Sequence, residues 1–297
     1  MKTCAFVAAL ASSLALTASA AASELIDRSA QGAKLAVDSS GRALVSYRSQ
    51  GRLKHVLAWG AIDARQPTRA RAQVAFRKDY SGRTLASFKG ACRAYDGPTL
   101  AFLVTACAAP DGSYWALQSW RRTLPNFDGK PTARLGLPEL RLSHWSGPIA
   151  TLEAWNDWVY GGRFHHLFGR YTYAGRPVHG FSATTVGNPT DTYGRNIYVD
   201  TFDSRYGKGW HRENAFLSHN PTGVFCYGFY KFTPRGPGNG SQYRLSAIGP
   251  GVTPDVSITL AGLHDYSASN PTDVVYEQQQ NALLDTVAAG DKKCRVH

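Results

Sequence analysis

Short apolar and aromatic runs separated by turn residues fill most of the chain and restrict what it can fold into. In the first third the runs are 34–37, 43–47 and 53–58, and Ser- and Gly-containing turns lie between them. This spacing is typical of an antiparallel meander. The continuous apolar run 101–106 predicts a buried strand, and Pro110-Asp111-Gly112 predicts a hairpin turn before a strand at 113–121.

The same pattern continues to residue 260. Further runs rich in aromatic and β-branched residues cover 164–173, 176–183, 195–202, 210–218, 224–232, 242–248 and 255–260. No strand–helix alternation interrupts them, which excludes a doubly wound α/β architecture. The sequence therefore predicts an all-β fold of two packed β-sandwich-like modules, with one larger sandwich or barrel as the alternative.

One segment near the end has helical periodicity instead. Asn270 is a good capping residue, Pro271 suits the first helical position, and Asp273 places a negative charge in the first turn. The apolar positions that follow share one helical stripe, formed by Tyr276, Leu283, Leu284 and Val287. We expect one C-terminal α-helix lying on the β body, with Cys294 tying it down.

Residues 1–22 have the pattern of a secretory signal peptide. Lys2 precedes an apolar run at 5–17, and Ala18-Ser19-Ala20 resembles a small-residue cleavage site. The run is too short to span a bilayer as an anchor, and we expect no membrane span elsewhere. The prediction is a secreted or periplasmic protein, cleaved near Ala20.

Four cysteines remain after that leader, and an even number in an oxidising compartment predicts two disulfides. Three pairings are possible. Cys92–Cys107 with Cys226–Cys294 is favoured, because the first pair closes a short loop within one module. The competing hypothesis, a zinc site, has no CxxC pair to support it, and we expect neither a metal nor another cofactor.

Charge and aromatic content divide the chain into modules. Residues 23–135 contain 18 Lys or Arg against 8 Asp or Glu, whereas 136–297 contain 14 against 13. Eight of the nine histidines follow residue 136. We predict a basic β-rich module at 23–135, an aromatic and His-rich β module at 136–266, and a helix with a disulfide-anchored tail at 267–297. The basic surface favours an anionic polymer as partner, and nucleic acid is not the expected one. Because the cations are scattered and form no tight run, the alternative is that Arg is simply the solubilising surface residue.

Candidate catalytic residues are Glu213, Asp200 and His211. On a strand, Glu213 shares a face with His211, and an inward face would raise the pKa of the carboxyl as a general acid requires. Asp200 could supply a second carboxylate. Two carboxylates flanking a glycosidic bond are the machinery of a glycoside hydrolase. The alternative is that these carboxylates pair with nearby arginines.

Candidate ligand-binding residues are aromatic rings and imidazoles in the second module. Trp and Tyr faces can stack on sugar rings. The set is Trp155, Trp158, Tyr160, Trp210, His165 and His166. Neighbouring His165 and His166 would point to opposite faces of a strand, so they would not share one metal ion without a bulge.

These observations predict a non-catalytic extracellular or envelope-associated protein that binds a glycan or an anionic polymer. The alternative is a secreted glycan hydrolase that uses the carboxylate pair. Binding is preferred because surface composition is enough for it, whereas hydrolysis requires a geometry that the sequence does not specify. The oligomeric state stays open.

Overall fold

In the computed structural model the described residues are 23–121, 137–162, 164–180, 182–183, 189–204, 207–230, 240–249 and 252–294. The predicted leader therefore lies outside them. In chain order the strands are β1 Glu24–Arg28, β2 Gln31–Val37, β3 Ala43–Ser49, β4 Arg52–Trp59, β5 Arg77–Asp79, β6 Leu103–Ala108, β7 Tyr114–Arg121, β8 Pro138–Trp145, β9 Thr151–Val159, β10 Phe164–Tyr173, β11 Arg176–Pro177, β12 Ser182–Ala183, β13 Pro189–Thr190, β14 Asn196–Ser204, β15 Gly207–Asn214, β16 Val224–Tyr230, β17 Gln242–Ile248 and β18 Val256–Ala261. A 3₁₀ turn spans Leu85–Ser87, and helix α1 spans Pro271–Val287.

The first half of the chain forms two antiparallel sheets that pack face to face. Sheet 1 has the order β2-β3-β4-β5, and sheet 2 has the order β1-β8-β7-β6. Alternate residues of both sheets point into one shared core, which includes Val45 and Val56 from sheet 1 and Trp115 and Leu142 from sheet 2. This period-two burial is what produces a sandwich.

The second half repeats the arrangement. Sheet 3 has the order β12-β13-β14-β17-β18, with β15 also paired to β14, and sheet 4 has the order β11-β10-β16, with β9 also paired to β10. Their common core includes Val199 and Leu245 from sheet 3 and Leu167 and Phe225 from sheet 4. The predicted β fold with one C-terminal helix is confirmed.

Helix α1 covers the other face of sheet 4. Leu284 and Val287 pack with Phe168 and Val224 in a small separate core. The side chain of Asn270 caps the helix by accepting a hydrogen bond from the Thr272 amide at 3.1 Å. The disulfides join Cys92 to Cys107 and Cys226 to Cys294, which confirms the favoured pairing, and the second bond anchors the chain just after the helix.

Sheets 2 and 3 meet through the faces that point away from their own cores. Trp120 of β7 packs against Tyr198 of β14 and Ile248 of β17. Consecutive residues of a strand alternate between faces, so Trp120 points away from Trp115 and Leu117 of the first core. We call this contact the seam. Within the described ranges, no helix is long and apolar enough to cross a membrane.

Candidate functional site

A cleft of about 490 Å³ opens at the seam, and we call it the seam cleft. Sheet 2 and its preceding loop supply one wall, and sheet 3 supplies the other. The lining residues are Phe102, Ser119, Trp120, Arg121, Pro138, Asp200, Trp210, Arg244, Ser246 and Ile248. Trp210 and Asp200, predicted separately as a ligand-binding residue and as the second carboxylate of a catalytic pair, are thus brought to one place.

The centre of the cleft wall is an ion pair stacked on aromatic rings. Arg244 donates to Oδ2 of Asp200 from Nη2 at 2.8 Å and from Nε at 3.2 Å. The guanidinium carbon of Arg244 lies 4.2 Å from the Trp210 ring centroid and 5.5 Å from that of Phe102. A cation at this distance from a ring face is attracted to it. The stack therefore presents a fixed positive charge beside an apolar platform.

Asp200 is held from its other oxygen as well. Nε of Arg212 donates to Oδ1 of Asp200 at 3.1 Å, and the Arg212 guanidinium lies over the Tyr198 ring. The Asp200 side chain is 2% exposed, whereas that of Arg244 is 13% exposed. With two arginines on one carboxylate, this wall keeps a net positive charge. Exposed Arg121 adds a second cation at the rim.

Two unusual backbone positions shape the cleft. Phe102 has φ of 57°, a left-handed conformation that costs a residue with a Cβ roughly 1–2 kcal/mol. Its carbonyl accepts a hydrogen bond from the Ser119 amide at 2.9 Å, which holds the Phe102 loop against β7. On the opposite wall, Gly209 at φ of 86° lies in β15 just before Trp210, where the pairing with β14 shifts register, and glycine adopts this conformation at no steric cost.

The predicted carboxylate pair is not brought together. Asp200 bonds to Arg244, whereas Glu213 interacts with Tyr243. Tyr243 and Arg244 are consecutive in β17, so their side chains point to opposite faces of sheet 3. Register explains the position of Glu213, since Val199 pairs with Asn214 and Asp200 with Arg212, which leaves Glu213 as the extra residue of a β-bulge. Asp200 thus has the arginine partners that the alternative hypothesis predicted.

Glu213 belongs to a polar group inside the second core. Burial raises the pKa of Tyr243; the negative charge of Glu213 adds to this, and a backbone hydrogen bond with Gly240 opposes it. Nδ1 of His165 lies 3.3 Å from the Tyr243 hydroxyl. His211, the third catalytic candidate, lies elsewhere and has Nε2 3.1 Å from the Lys208 carbonyl oxygen.

The other predicted ligand-binding residues lie on sheet 4, away from the seam cleft. His165 faces the second core, and His166 faces the helix side, where its Nδ1 is 2.8 Å from Oδ1 of buried Asp157. The predicted opposite orientation of the two histidines is confirmed. Trp155 stacks on Phe168.

Trp158 and Tyr160, at the end of β9, differ in exposure. Trp158 is buried and donates from its indole nitrogen to the His264 carbonyl at 2.8 Å, so it is part of the packing against the segment before α1. Tyr160 is 60% exposed and contacts the Phe164 ring edge-on. Neither lines the seam cleft.

Sequence reasoning missed most of the cleft. Five of its residues come from three separate runs that no local spacing connects: Phe102, the consecutive Ser119, Trp120 and Arg121, and Arg244. In the sequence, the only features that pointed toward this site were the excess of Arg residues and the presence of Trp210.

A second cavity of about 470 Å³ in the first sandwich is lined by a histidine that is hydrogen-bonded to a buried serine. His144, which lines it, has Nε2 2.8 Å from the Ser113 hydroxyl. Burial lowers the pKa of His144 despite opposing contributions from the Ala61 carbonyl and from Asp111 and Asp63. Ser113 is only 2% exposed and also donates to Asp111 at 2.6 Å. A substrate therefore could not reach its hydroxyl, and the pair supports the hairpin turn.

Comparisons of the chain with protein-family models, with curated proteins and with solved structures find no match.

Proposed function

We propose that the protein is a non-catalytic binding protein that holds an acidic glycan in the seam cleft. One observation carries the proposal: the Arg244 guanidinium is stacked 4.2 Å from the Trp210 ring centroid and locked there by Asp200. Nε and Nη2 of Arg244 bond to Asp200, so Nη1 is the group that can donate to a carboxylate or sulfate, and the exposed part of the half-buried Trp210 indole suits the apolar face of a sugar ring. A sugar that carries an acidic group would use both.

The size and lining of the cleft support a ligand of this kind. Its volume of about 490 Å³ lies within the range of small-molecule sites, which is roughly 300–1,000 Å³. Apolar surface comes from Phe102, Trp120 and Ile248, and the half-buried Ser119 hydroxyl can bond to a sugar hydroxyl. The Ser246 hydroxyl is buried and bonds to Ser257 instead. Exposed Arg121 would meet the next acidic group along a polymer.

The charges in the cleft favour binding over hydrolysis. Glycoside hydrolysis uses two carboxyl groups, about 5–5.5 Å apart in retaining enzymes and about 6.5–9.5 Å apart in inverting ones. Asp200 is the single carboxylate among the described lining residues, and two arginines bond to it. Both oxygens of Asp200 accept hydrogen bonds from arginines, so this carboxylate positions the arginines and is not placed to transfer a proton to a substrate.

The compartment is consistent with this role. The two disulfides indicate an oxidising environment. Together with the predicted leader, they support a location outside the cytoplasm, where acidic glycans of the cell envelope or matrix occur as polymers. The positive charge of residues 23–135 would add long-range attraction for such a polymer.

The experiment compares an oligomer of a uronic acid with its methyl ester by titration calorimetry. The two ligands share a sugar and differ in charge. We expect the acid to bind more tightly, and we expect added salt to narrow the difference, because the Debye length is only about 10 Å at 0.1 M. Equal binding of acid and ester, or release of new reducing ends, would contradict the proposal.

Two tryptophan variants locate the site. Trp210→Ala removes the platform and should weaken binding of the acid about tenfold, which corresponds to about 1.4 kcal/mol. Trp155→Ala is the matched control, since this half-buried Trp lies on sheet 4 beside Phe168. A loss of binding in Trp155→Ala but not in Trp210→Ala would place the site on the helix side and reject the seam cleft.

A further inference from the structure

The Cys226–Cys294 disulfide lies against a histidine and an aspartate. Sγ of Cys294 is 3.7 Å from Nδ1 of His219, and the same nitrogen is 3.0 Å from Oδ2 of Asp291. The donor atoms of Cys226, Cys294 and His219 all lie within 4.8 Å of one another. His219, Asp291 and Cys294 are each at most 8% exposed. Three groups of the types that bind zinc therefore converge at one point, and the Asp291 carboxylate, a fourth such group, contacts the histidine of this set.

Separate parts of the fold hold these groups in place. The turn before β16 positions His219, whose amide donates to the Val224 carbonyl at 2.7 Å and whose carbonyl accepts from the Gly223 amide at 2.7 Å. Asp291 follows the helix, and its amide donates to the Ala288 carbonyl at 2.8 Å. Thr222 fixes the Asp291 carboxylate by donating from Oγ1 to Oδ2 at 2.6 Å.

The spacing of the donors fits a tetrahedral metal. With Zn–S about 2.3 Å and Zn–N about 2.1 Å, the sulfur–nitrogen edge of a tetrahedron is about 3.6 Å, and the corresponding nitrogen–oxygen edge is about 3.3 Å. The observed separations of 3.7 and 3.0 Å are close to both values. The two sulfurs, now bonded to each other, need only separate after reduction.

We propose that reduction of Cys226–Cys294 converts this group into a Zn²⁺ site with Cys226, Cys294, His219 and Asp291 as ligands. A dithiol reductant supplies two electrons: one of its thiolates attacks Sγ of half-buried Cys226, and Cys294 leaves as a thiolate. The second thiol of the reductant then closes its own disulfide and releases Cys226 as a thiolate. Zn²⁺ binds the two thiolates, and the protons of the thiols pass to solvent.

The disulfide and the metal site cannot form at the same time, but each of them holds helix α1 on sheet 4. Either the disulfide or the metal joins β16 to the segment after α1, so the helix stays attached to sheet 4 under reducing as well as oxidising conditions. No CxxC spacing marks the site, because the fold brings together cysteines that are 68 residues apart.

The test uses Co²⁺ as a spectroscopic substitute for Zn²⁺ on the reduced protein without oxygen. Cys4 is replaced by Ser throughout, so that it contributes no thiolate. We expect one equivalent of Co²⁺ to produce thiolate charge-transfer bands and tetrahedral d–d bands, and we expect none in the oxidised protein. His219→Ala and Asp291→Asn should each lower the affinity by roughly 10- to 100-fold.

Matched variants separate this site from general thiol binding. Cys92→Ser with Cys107→Ser removes the other disulfide and should keep the Co²⁺ bands. His264→Ala removes a histidine that pairs with Asp273 instead, and it should also keep them. Absence of the bands, unchanged affinity in His219→Ala, or loss of the bands in the Cys92/Cys107 variant would overturn the proposal.

A second measurement does not depend on the absorption bands of Co²⁺. Zn²⁺ should protect Cys226 and Cys294 of the reduced protein from alkylation at least tenfold more than Cys92 and Cys107, as read by mass spectrometry. Near-ultraviolet circular dichroism follows the fold in the same samples. If reduction unfolds the chain and Zn²⁺ does not restore the signal, or if all four cysteines are protected alike, the proposal is wrong.

Discussion

Gln118 of β7 and Asp255, just before β18, are joined across the seam by two hydrogen bonds. Nε2 of Gln118 donates to the Asp255 carbonyl at 2.9 Å, and Oε1 of Gln118 accepts from the Asp255 amide at 2.9 Å. Both residues are at most 1% exposed. The side chain thus pairs with a backbone as a neighbouring strand would, and this fixes the two walls of the seam cleft relative to each other.

Gln118→Leu should destabilise the protein by about 3 kcal/mol, because it leaves a buried amide and carbonyl of Asp255 without these bonds. Urea unfolding measures the change, and Gln31→Leu at an exposed position is the control. Equal stability of the two variants would show that the seam does not depend on this pairing.

Asp255 should make stability depend on pH. Its carboxyl is fully buried, and burial raises its pKa even though Arg141, Ser23 and the Gly249 amide oppose this. A raised pKa in the folded state stabilises the fold below the unfolded value of about 3.9, and this contribution is lost as the pH rises through the folded pKa.

The measurement is the free energy of unfolding of wild type and Asp255→Asn from pH 4 to pH 7. Asn keeps the acceptor that Ser23 and Gly249 use, so its stability relative to wild type should increase as the pH rises. Carboxyls with a lowered pKa, such as Asp38, are present in both proteins, so their contributions to the pH dependence cancel in the difference between the two free energies of unfolding. If the free energies of unfolding of the two proteins change in parallel with pH, the pKa of Asp255 is not raised by burial.

The strand pattern of the fold could be predicted because burial with period two leaves a clear trace in the sequence. The helix start was equally readable from Asn270 and Pro271. The run 101–106 was misleading, however: the strand is Leu103–Ala108, and Leu103 and Val104 are 44% and 43% exposed, so the prediction of a buried strand is wrong for its first half. A continuous apolar run does not tell which face of a strand is covered.

Asp200→Asn should lower stability by about 3 kcal/mol, because removing one partner of a buried ion pair leaves the cations of Arg212 and Arg244 uncompensated. Urea unfolding compares it with Asp79→Asn, an exposed carboxyl. A fully stable Asp200→Asn protein would remove the structural role assigned to this residue and revive a catalytic one.

Removal of each disulfide should cost stability that grows with the logarithm of the length of the loop that it closes. The sequence separations are 68 residues for Cys226–Cys294 and 15 for Cys92–Cys107. Chain entropy then gives losses of about 4 and about 3 kcal/mol on replacement of each pair by serine. Limited proteolysis should release the helix only from the Cys226/Cys294 variant, and release from both variants would show that the helix is anchored by other contacts.

The candidate site was less predictable than the fold, because its residues meet only through tertiary packing. Trp210 and Asp200 were identifiable as residue types, but their partners Arg244 and Phe102 come from sheets and loops that no local spacing connects. The bulge at Glu213 also could not be read from alternation alone, and it puts this carboxyl on the face opposite Asp200.

The most direct test of the seam cleft is the affinity of Arg121→Ala for a uronic acid oligomer. Arg121 is exposed at the rim, so its removal should leave the fold unchanged. Loss of one charge-assisted contact predicts binding about tenfold weaker than wild type, whereas Arg52→Ala, at the exposed first position of β4 in sheet 1, should bind like wild type. Equal weakening in both variants would mean that the protein attracts polyanions through overall charge and that the cleft is not the site.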